Sequence, residues 1–270
     1  MEGNDCYKFA TVNRYLAATQ GKPVRLVVDV GANVGNVSEE MKQYFPEARI
    51  FAFEAVPEHY RTSARRFARD ARVTVVNAAV CGCHQFADDL GRQRLPSLAP
   101  LEIHYAPRCA GGSAVTRLGS GHDENYETLL EPFPSLTLDA VVAMVLAETG
   151  NAEVDYMKMD CEGCEHHALG CAREETIQKI RFVGGEYHGV ERFYQVMKHK
   201  LFRTHYVNLV GDRGQGSFFA ERIGEERTIL RKDRDGMLLD RPWYSAEPID
   251  WHVFREEFVA PEEMWSHGLA

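Results

Sequence analysis

Short apolar runs recur along the chain and alternate with segments whose apolar positions repeat every three or four residues. The first run, Arg25-Leu26-Val27-Val28-Asp29-Val30, stops at a glycine and has the unbroken apolar character of a strand covered on both faces. An amphipathic stretch over 37–45 predicts a helix that ends before Pro46. Arg49–Glu54 predicts a second buried strand. Pro57 then opens a basic amphipathic helix to about Arg69, and Val73–Asn77 predicts a third strand. Ahead of these, Tyr7, Phe9, Val12 and Leu16 are spaced as one face of a helix leading into the core.

Strand alternating with helix predicts an α/β fold, a doubly wound and mainly parallel sheet with right-handed crossovers. Residues 81–134 interrupt the rhythm. They are rich in Gly, Pro, Ser and Arg, hold one plausible strand at Leu101–Tyr105, and form a loop-rich insertion of a length that is usually functional or mobile. The alternation resumes with a helix over 139–148, a strand at Val154–Met159, a helix from 163, a strand over 180–185 and a helix over 191–200. Residues 204–210 and 217–223 are further strand candidates. The chain reads as one domain: an N-terminal helix in 1–24, a ligand-binding half in 25–80, the insertion, the rest of the sheet in 135–223, and an aromatic tail in 224–270. The tail carries Trp243, Tyr244, Trp251, Phe254, Phe258 and Trp265, a density that predicts a packed lid or a homodimer contact.

Composition narrows the picture. The 270 residues carry 31 Lys+Arg against 40 Asp+Glu, a formal charge of −9, which argues against sequence-independent nucleic-acid binding. With 44% hydrophobic residues the chain can build a core, and no run approaches the roughly 18 apolar residues of a membrane span. The start, Met1-Glu2-Gly3-Asn4-Asp5, lacks the features of a secretory or transit signal, so a cytoplasmic location and no membrane partner are expected. Seven cysteines, an odd number, disfavour a disulfide framework. Cys81, Cys83, His84, Cys161, Cys164, His166 and His167 hold enough sulfur and imidazole for a zinc site, but Cys164 and Cys171 at helical spacing fit a buried stripe, and no metal is expected.

Three clusters carry chemistry. In Asp29-Val30-Gly31-Ala32-Asn33-Val34-Gly35 a buried strand runs into a glycine turn and then a helix start, whose N–H groups would be unpaired. Glu54 ends the next strand, so the two strand ends form neighbouring lips of a crevice where a carboxylate can accept the hydroxyls of a ribose. The spacing is G-x-x-x-G rather than G-x-G-x-x-G, and the lip is acidic; it suits a ribose with an ammonium, as in S-adenosylmethionine, and repels a pyrophosphate. The second cluster, Lys158-Met159-Asp160-Cys161-Glu162-Gly163-Cys164-Glu165-His166-His167, gathers ionisable groups at the end of a strand, as a site does and a core does not. The third is Gly184-Gly185-Glu186-Tyr187-His188-Gly189, another carboxylate–imidazole pair at the same edge.

Taken together, Asp-Val-Gly-Ala-Asn-x-Gly from Asp29, Phe53-Glu54, Thr137-Leu138-Asp139, Lys-x-Asp-x-Glu-Gly-x-Glu over 158–165, and Glu186-x-His188 resemble the FkbM family of methyltransferases, in order from about Arg25 to His188. The resemblance implies a Rossmann-like class I fold, a mainly seven-stranded sheet with its last strand antiparallel, and S-adenosyl-L-methionine as cofactor. By the same resemblance Gly31, Asn33 and Gly35 would cradle the methionine portion, with Asp29 and Ser38 beside them. Glu54, followed by Ala55 where the family usually has proline, would hold the ribose. Asn77 or Ala79 would lie near the adenine, and Asp160 and Glu162 beside the methyl group.

The expected reaction is O-methylation of a small molecule, a sugar or natural-product hydroxyl, with Asp160, Glu162, His166, Glu186 and His188 as the catalytic candidates. A hydroxyl acceptor needs a base, for which His188, His166 or Glu162 would serve. A carboxylate acceptor, forming a methyl ester, needs cations instead, and Arg108, Arg117 and Lys158, with His167, are the candidate substrate contacts. A nicotinamide-dependent oxidoreductase and a zinc-bearing interaction module are the rivals from other classes.

Overall fold

The computed structural model describes residues 9, 12–13, 21–80, 101–105, 114–117, 127–129, 135–162, 164–188, 202–207 and 215–222. The chain order is β1 (Leu26–Val30), α1 (Asn36–Tyr44), β2 (Arg49–Glu54), α2 (Pro57–Arg66), β3 (Val73–Asn77) and β4 (Ala79–Val80). Next come β5 (Leu101–Tyr105), β6 (Ala114–Arg117), β7 (Glu127–Leu129), β8 (Ser135–Leu136) and α3 (Leu138–Thr149). The remainder is β9 (Val154–Met159), α4 (Glu165–Cys171), α5 (Glu174–Ile177), β10 (Ile180–His188), β11 (Phe202–Val207) and β12 (Gln215–Arg222).

The main sheet has seven strands in the order β11-β12-β10-β9-β1-β2-β3. The pairs from β10 through β9, β1 and β2 to β3 are parallel, while β12, the last strand, runs antiparallel between β10 and β11. The strand order reverses between β1 and β9, and the crevice outside their carboxyl ends is where an open α/β sheet takes its ligand.

Every residue of β1 and β9 is buried. Leu26, Val28 and Val30 join Phe51, Phe53, Met157 and Met159 on one face, under Leu138, Val141, Val142 and Val145 of α3. Val27, Ile50 and Tyr156 join Met41, Phe45 and Phe67 on the other, beneath α1 and α2. Phe9 and Val12 of the N-terminal helix are buried in that second layer, where the Phe9 ring meets those of Tyr44, Phe45 and Tyr156 at 5.6–5.9 Å. Each such ring contributes about 1.5–3 kcal/mol of transfer free energy.

Two parts of the sequence expectation change. The insertion carries more than the strand read at Leu101–Tyr105: β5 is flanked by β6 and β7 as a separate antiparallel sheet, and β4 pairs in parallel with β8. The strand expected to stop at 185 continues to His188, because antiparallel pairing with β12 matches Glu186 to Ser217 and His188 to Gln215. The helix expected over 191–200 and the aromatic tail lie outside the described residues. Among the described residues no helix is long and apolar enough to cross a membrane.

Candidate active site

The first lip of the crevice is the turn between β1 and α1. Gly31 adopts φ +74°, and a Cβ there would fall on the carbonyl oxygen of Asp160, so only glycine lets the two strand ends meet this closely. Asn33 is also left-handed, at φ 51°, a conformation asparagine tolerates. The turn uses its own donors. Gly31 and Ala32 donate N–H to the Phe53 carbonyl at 3.0 Å each, Asn33 to Glu54 Oε2 at 2.7 Å, Val34 to Asn33 Oδ1 at 2.7 Å and Gly35 to the Ala32 carbonyl at 2.9 Å. The N–H groups of residues 31 to 35 are all engaged within the protein. The helix start whose N–H groups are expected to be unpaired begins one residue later, at Asn36.

Glu54 ends β2, is buried, and accepts N–H groups from Asn33 on Oε2 and from Val56 at 2.8 Å on Oε1. Burial pushes its pKa up, and the two N–H donors oppose the shift without cancelling it. His59, buried in the first turn of α2, lies 3.9 Å from Oε1, and burial lowers its pKa. Each carboxylate oxygen has accepted one backbone donor and has a further lone pair for a hydroxyl. The Asn77 amide donates to the Glu54 and Ala55 carbonyls at 2.8 and 3.1 Å, which clamps the loop after β2 to the end of β3. Ala55 is half-buried beside this clamp and Ala79 is buried at the start of β4.

The second lip follows β9. The Asp160 N–H donates to the Val30 carbonyl at 3.1 Å, continuing the ladder past Met159, and the Asp160 side chain is 19% exposed. Glu162 is left-handed at φ 54°, which costs on the order of 1–3 kcal/mol for a residue with a Cβ. Glu165 closes this loop from beneath: fully buried at the start of α4, it accepts the Cys161 N–H at 2.8 Å. Glu186 is half-buried one position past Gly185, the partner of Met159, so it stands on the same edge of the sheet as Asp160. His166 and His167 lie on α4, His188 ends β10 and Arg117 ends β6, with their side chains outside the description. Arg108 lies outside the described residues altogether.

Four residues expected at the ligand, Lys158, Asp29, Ser38 and Gly35, are buried and engaged within the protein. Lys158 is 1% exposed, not presented to an acceptor; its Nζ donates to the Gly31 carbonyl at 2.7 Å and the Val30 carbonyl at 3.2 Å and pairs with Asp29 Oδ1 at 3.2 Å. Burial opposes its charge, but Asp29 and Asp160 outweigh that and hold the pKa above its ordinary value. Asp29 is fully buried, and its Oδ2 takes the hydroxyl of Ser38, also fully buried, at 2.5 Å. Asp29 and Ser38 therefore support the turn from below. Gly35 caps α1, and a Cβ on it would press against Phe67 and Ser63 of the neighbouring helical segment, so it serves helix packing. The Thr137–Asp139 motif is structural too: Thr137 Oγ1 caps α3, and Asp139 takes the Thr176 hydroxyl and the Arg173 N–H. Cys161, Cys164 and Cys171 are not joined in disulfides, and among the described residues no group of three or more metal-binding side chains is assembled.

The sheet order β3-β2-β1-β9-β10-β12-β11, with β12 antiparallel and an acid at the end of β2, defines a class I methyltransferase fold. Residues 29–211 match the methyltransferase FkbM domain, and the chain belongs to that family, whose cofactor is S-adenosylmethionine. It is 30% identical over 174 residues to methyltransferase sdnD of Sordaria araneosa, covering 58% of this chain and 64% of that protein. It thus spans just under two-thirds of that relative's length. With the 2-O-methyltransferase NoeI of Sinorhizobium fredii it shares 24% identity over 193 residues, covering 67% of this chain and 71% of the relative. Methyltransferase 1 of Beauveria bassiana is 28% identical over 152 residues, covering 53% and 56% of the two chains.

The residues present fit this cofactor. An ionisable acid fixed by two N–H donors suits a ribose diol, and the acidic second lip suits a cationic ligand.

Proposed function

We propose that the protein transfers a methyl group from S-adenosylmethionine to a hydroxyl oxygen of a small molecule, such as a sugar or natural product. The observation that carries this reading is Glu54, fixed by the Asn33 and Val56 N–H groups across the crevice from Asp160. The bound cofactor supplies an electrophilic methyl group on a sulfonium. Glu54 would hold the ribose hydroxyls, and the Gly31–Asn33 turn would shape the pocket for the methionine portion. Asp160 and Glu162 would border the reacting centre, holding the acceptor in line, and alignment of this kind supplies much of the rate. A hydroxyl acceptor gives up a proton, and Glu162, His166, Glu186 and His188 are the groups on this edge that could receive it.

Hydroxyl methylation is favoured over ester formation by the charge of the edge. Asp160, Glu162 and Glu186 would repel an acceptor carboxylate, and Lys158, which faces Asp160 at 3.9 Å, is already held by Asp29 and two carbonyls. The name of the relative NoeI, a 2-O-methyltransferase, points the same way. The test begins with calorimetric titration of S-adenosylhomocysteine and, separately, NADH into the wild type and Glu54→Ala. Binding of the first alone, weakened in the variant, supports the reading, and NADH binding overturns it. A mass-spectrometric screen of paired hydroxyl and carboxylate acceptors then decides the acceptor class.

A further inference from the structure

A charged side chain in the middle of a buried strand needs a reason. Lys158 lies in β9 directly opposite Asp29 in β1, with both side chains beneath α1. Removing two charges from water is costly, and an apolar pair of similar volume often serves stability as well. What an ammonium does here that a methionine could not is reach several oxygens at once. Its Nζ takes the Gly31 carbonyl at 2.7 Å, the Val30 carbonyl at 3.2 Å and Asp29 Oδ1 at 3.2 Å, all from the first lip. Just past the end of its own strand it faces Asp160 Oδ2 at 3.9 Å. The Gly31 carbonyl belongs to a left-handed turn that has already left the sheet, so no strand neighbour accounts for it.

We propose that Lys158 is a positioning residue for the crevice: its buried ammonium ties the Gly31 carbonyl of one lip to the Asp160 carboxylate of the other and so fixes the separation at which the ligand is gripped. The proposal rests on the cofactor reading above and adds a residue that never touches the ligand. Lys158 acts through the backbone of the turn and through the orientation of Asp160, with Asp29 and Ser38 anchoring it from below.

Lys158→Met, similar in length and without charge, is the direct test, with Val145→Ala as a control for lost stability alone, because Val145 is a fully buried residue in the middle of α3. Both are titrated with S-adenosylhomocysteine well below their melting temperatures, with near-ultraviolet circular dichroism reporting the fold. Lys158→Met is expected to bind about tenfold more weakly than wild type, the size of losing one hydrogen bond to a charged group. Val145→Ala is expected to melt earlier and bind as wild type does. Lys158→Arg, which restores the charge, should recover part of the loss. If Lys158→Met does not fold, Lys158→Gln, which keeps a donor for the Gly31 carbonyl, is expected to bind at least about threefold more weakly. Wild-type affinity in the folded uncharged variant, or an equal loss in Val145→Ala, overturns the proposal while leaving the cofactor reading intact. Failure of the wild type itself to bind overturns both.

Discussion

The two lips of the crevice come from similar strand ends and are built in opposite ways. In the first, Gly31 to Gly35 engage every N–H internally, and Glu54 is buried under two donors. In the second, Asp160 keeps 19% of its side chain exposed and Glu162 holds a left-handed backbone. The first lip has its turn donors engaged, whereas the second carries a left-handed Glu162 and a partly exposed Asp160 carboxylate, features that accompany functional sites. On the proposed function this contrast is a division of labour between a cofactor side and an acceptor side, and it can be broken at specific residues.

The largest effect is expected at Glu54. Replacing it with alanine removes the acceptor for two ribose hydroxyls, and at about 1.5–3 kcal/mol per hydrogen bond to a charged group S-adenosylhomocysteine affinity should fall about a hundredfold or more, read by calorimetry. Next is Gly31→Ala, whose Cβ would fall on the Asp160 carbonyl from a positive φ; a loss of about 2–4 kcal/mol in urea unfolding is expected. If it unfolds like wild type, the lips are not in rigid contact.

Glu162→Gly sharpens the contrast. Relief of the left-handed backbone should raise stability by about 1 kcal/mol while turnover on the identified acceptor drops, opposite signs that a purely structural residue would not give.

The pH dependence comes from Glu54. Its pKa in the folded protein is raised, so the penalty for its ionisation is fully present above that pKa and is relieved as pH falls through it. Acidification through the same range removes the ionised acceptor, so ligand affinity should fall while the contribution of Glu54 to apo stability improves. Glu54→Gln should flatten both trends in paired titrations against wild type.

The smallest effect is expected at Thr137. Loss of its cap on α3 should cost about 1 kcal/mol in the urea midpoint and leave S-adenosylhomocysteine affinity unchanged, placing that motif outside both lips.

Much of this was legible in the chain. β2 and β9 fall where the apolar runs place them, because a strand covered on both faces leaves an unbroken signal, and β3 and β5 also match their expected ranges. Glu54 and Asp160 stand out because strand ends in such a sheet converge. The two-residue strands β4 and β8 escaped because their pairing bridges the insertion and has no local pattern. β10 was read too short because Gly184 and Gly185 look like a stop, whereas β12, arriving from far along the chain, extends the ladder past them. Charge near a strand end is the mark of a site, which puts Asp29 and Lys158 against the ligand in the sequence reading. Only the register of β1 with β9 shows that Asp29 and Lys158 face each other beneath α1, with Ser38 closing over them. A carboxylate reaching back to an N–H, as Glu165 does, is likewise invisible until the loop is closed.

The pairing of β1 with β9 also has a consequence for biosynthesis. These neighbours are separated by nearly 130 residues of chain, as the Lys158 to Val30 bond spans 128 positions. While the ribosome is still making the insertion, β1 has β2 on one side and a bare edge on the other, a template for pairing with another nascent chain. The crevice comes into being only when the segment around Asp160 arrives, so ligand capture and the sealing of that edge are a single late event. A cell supplied with S-adenosylmethionine would then be favouring completion of the fold each time it fills the pocket.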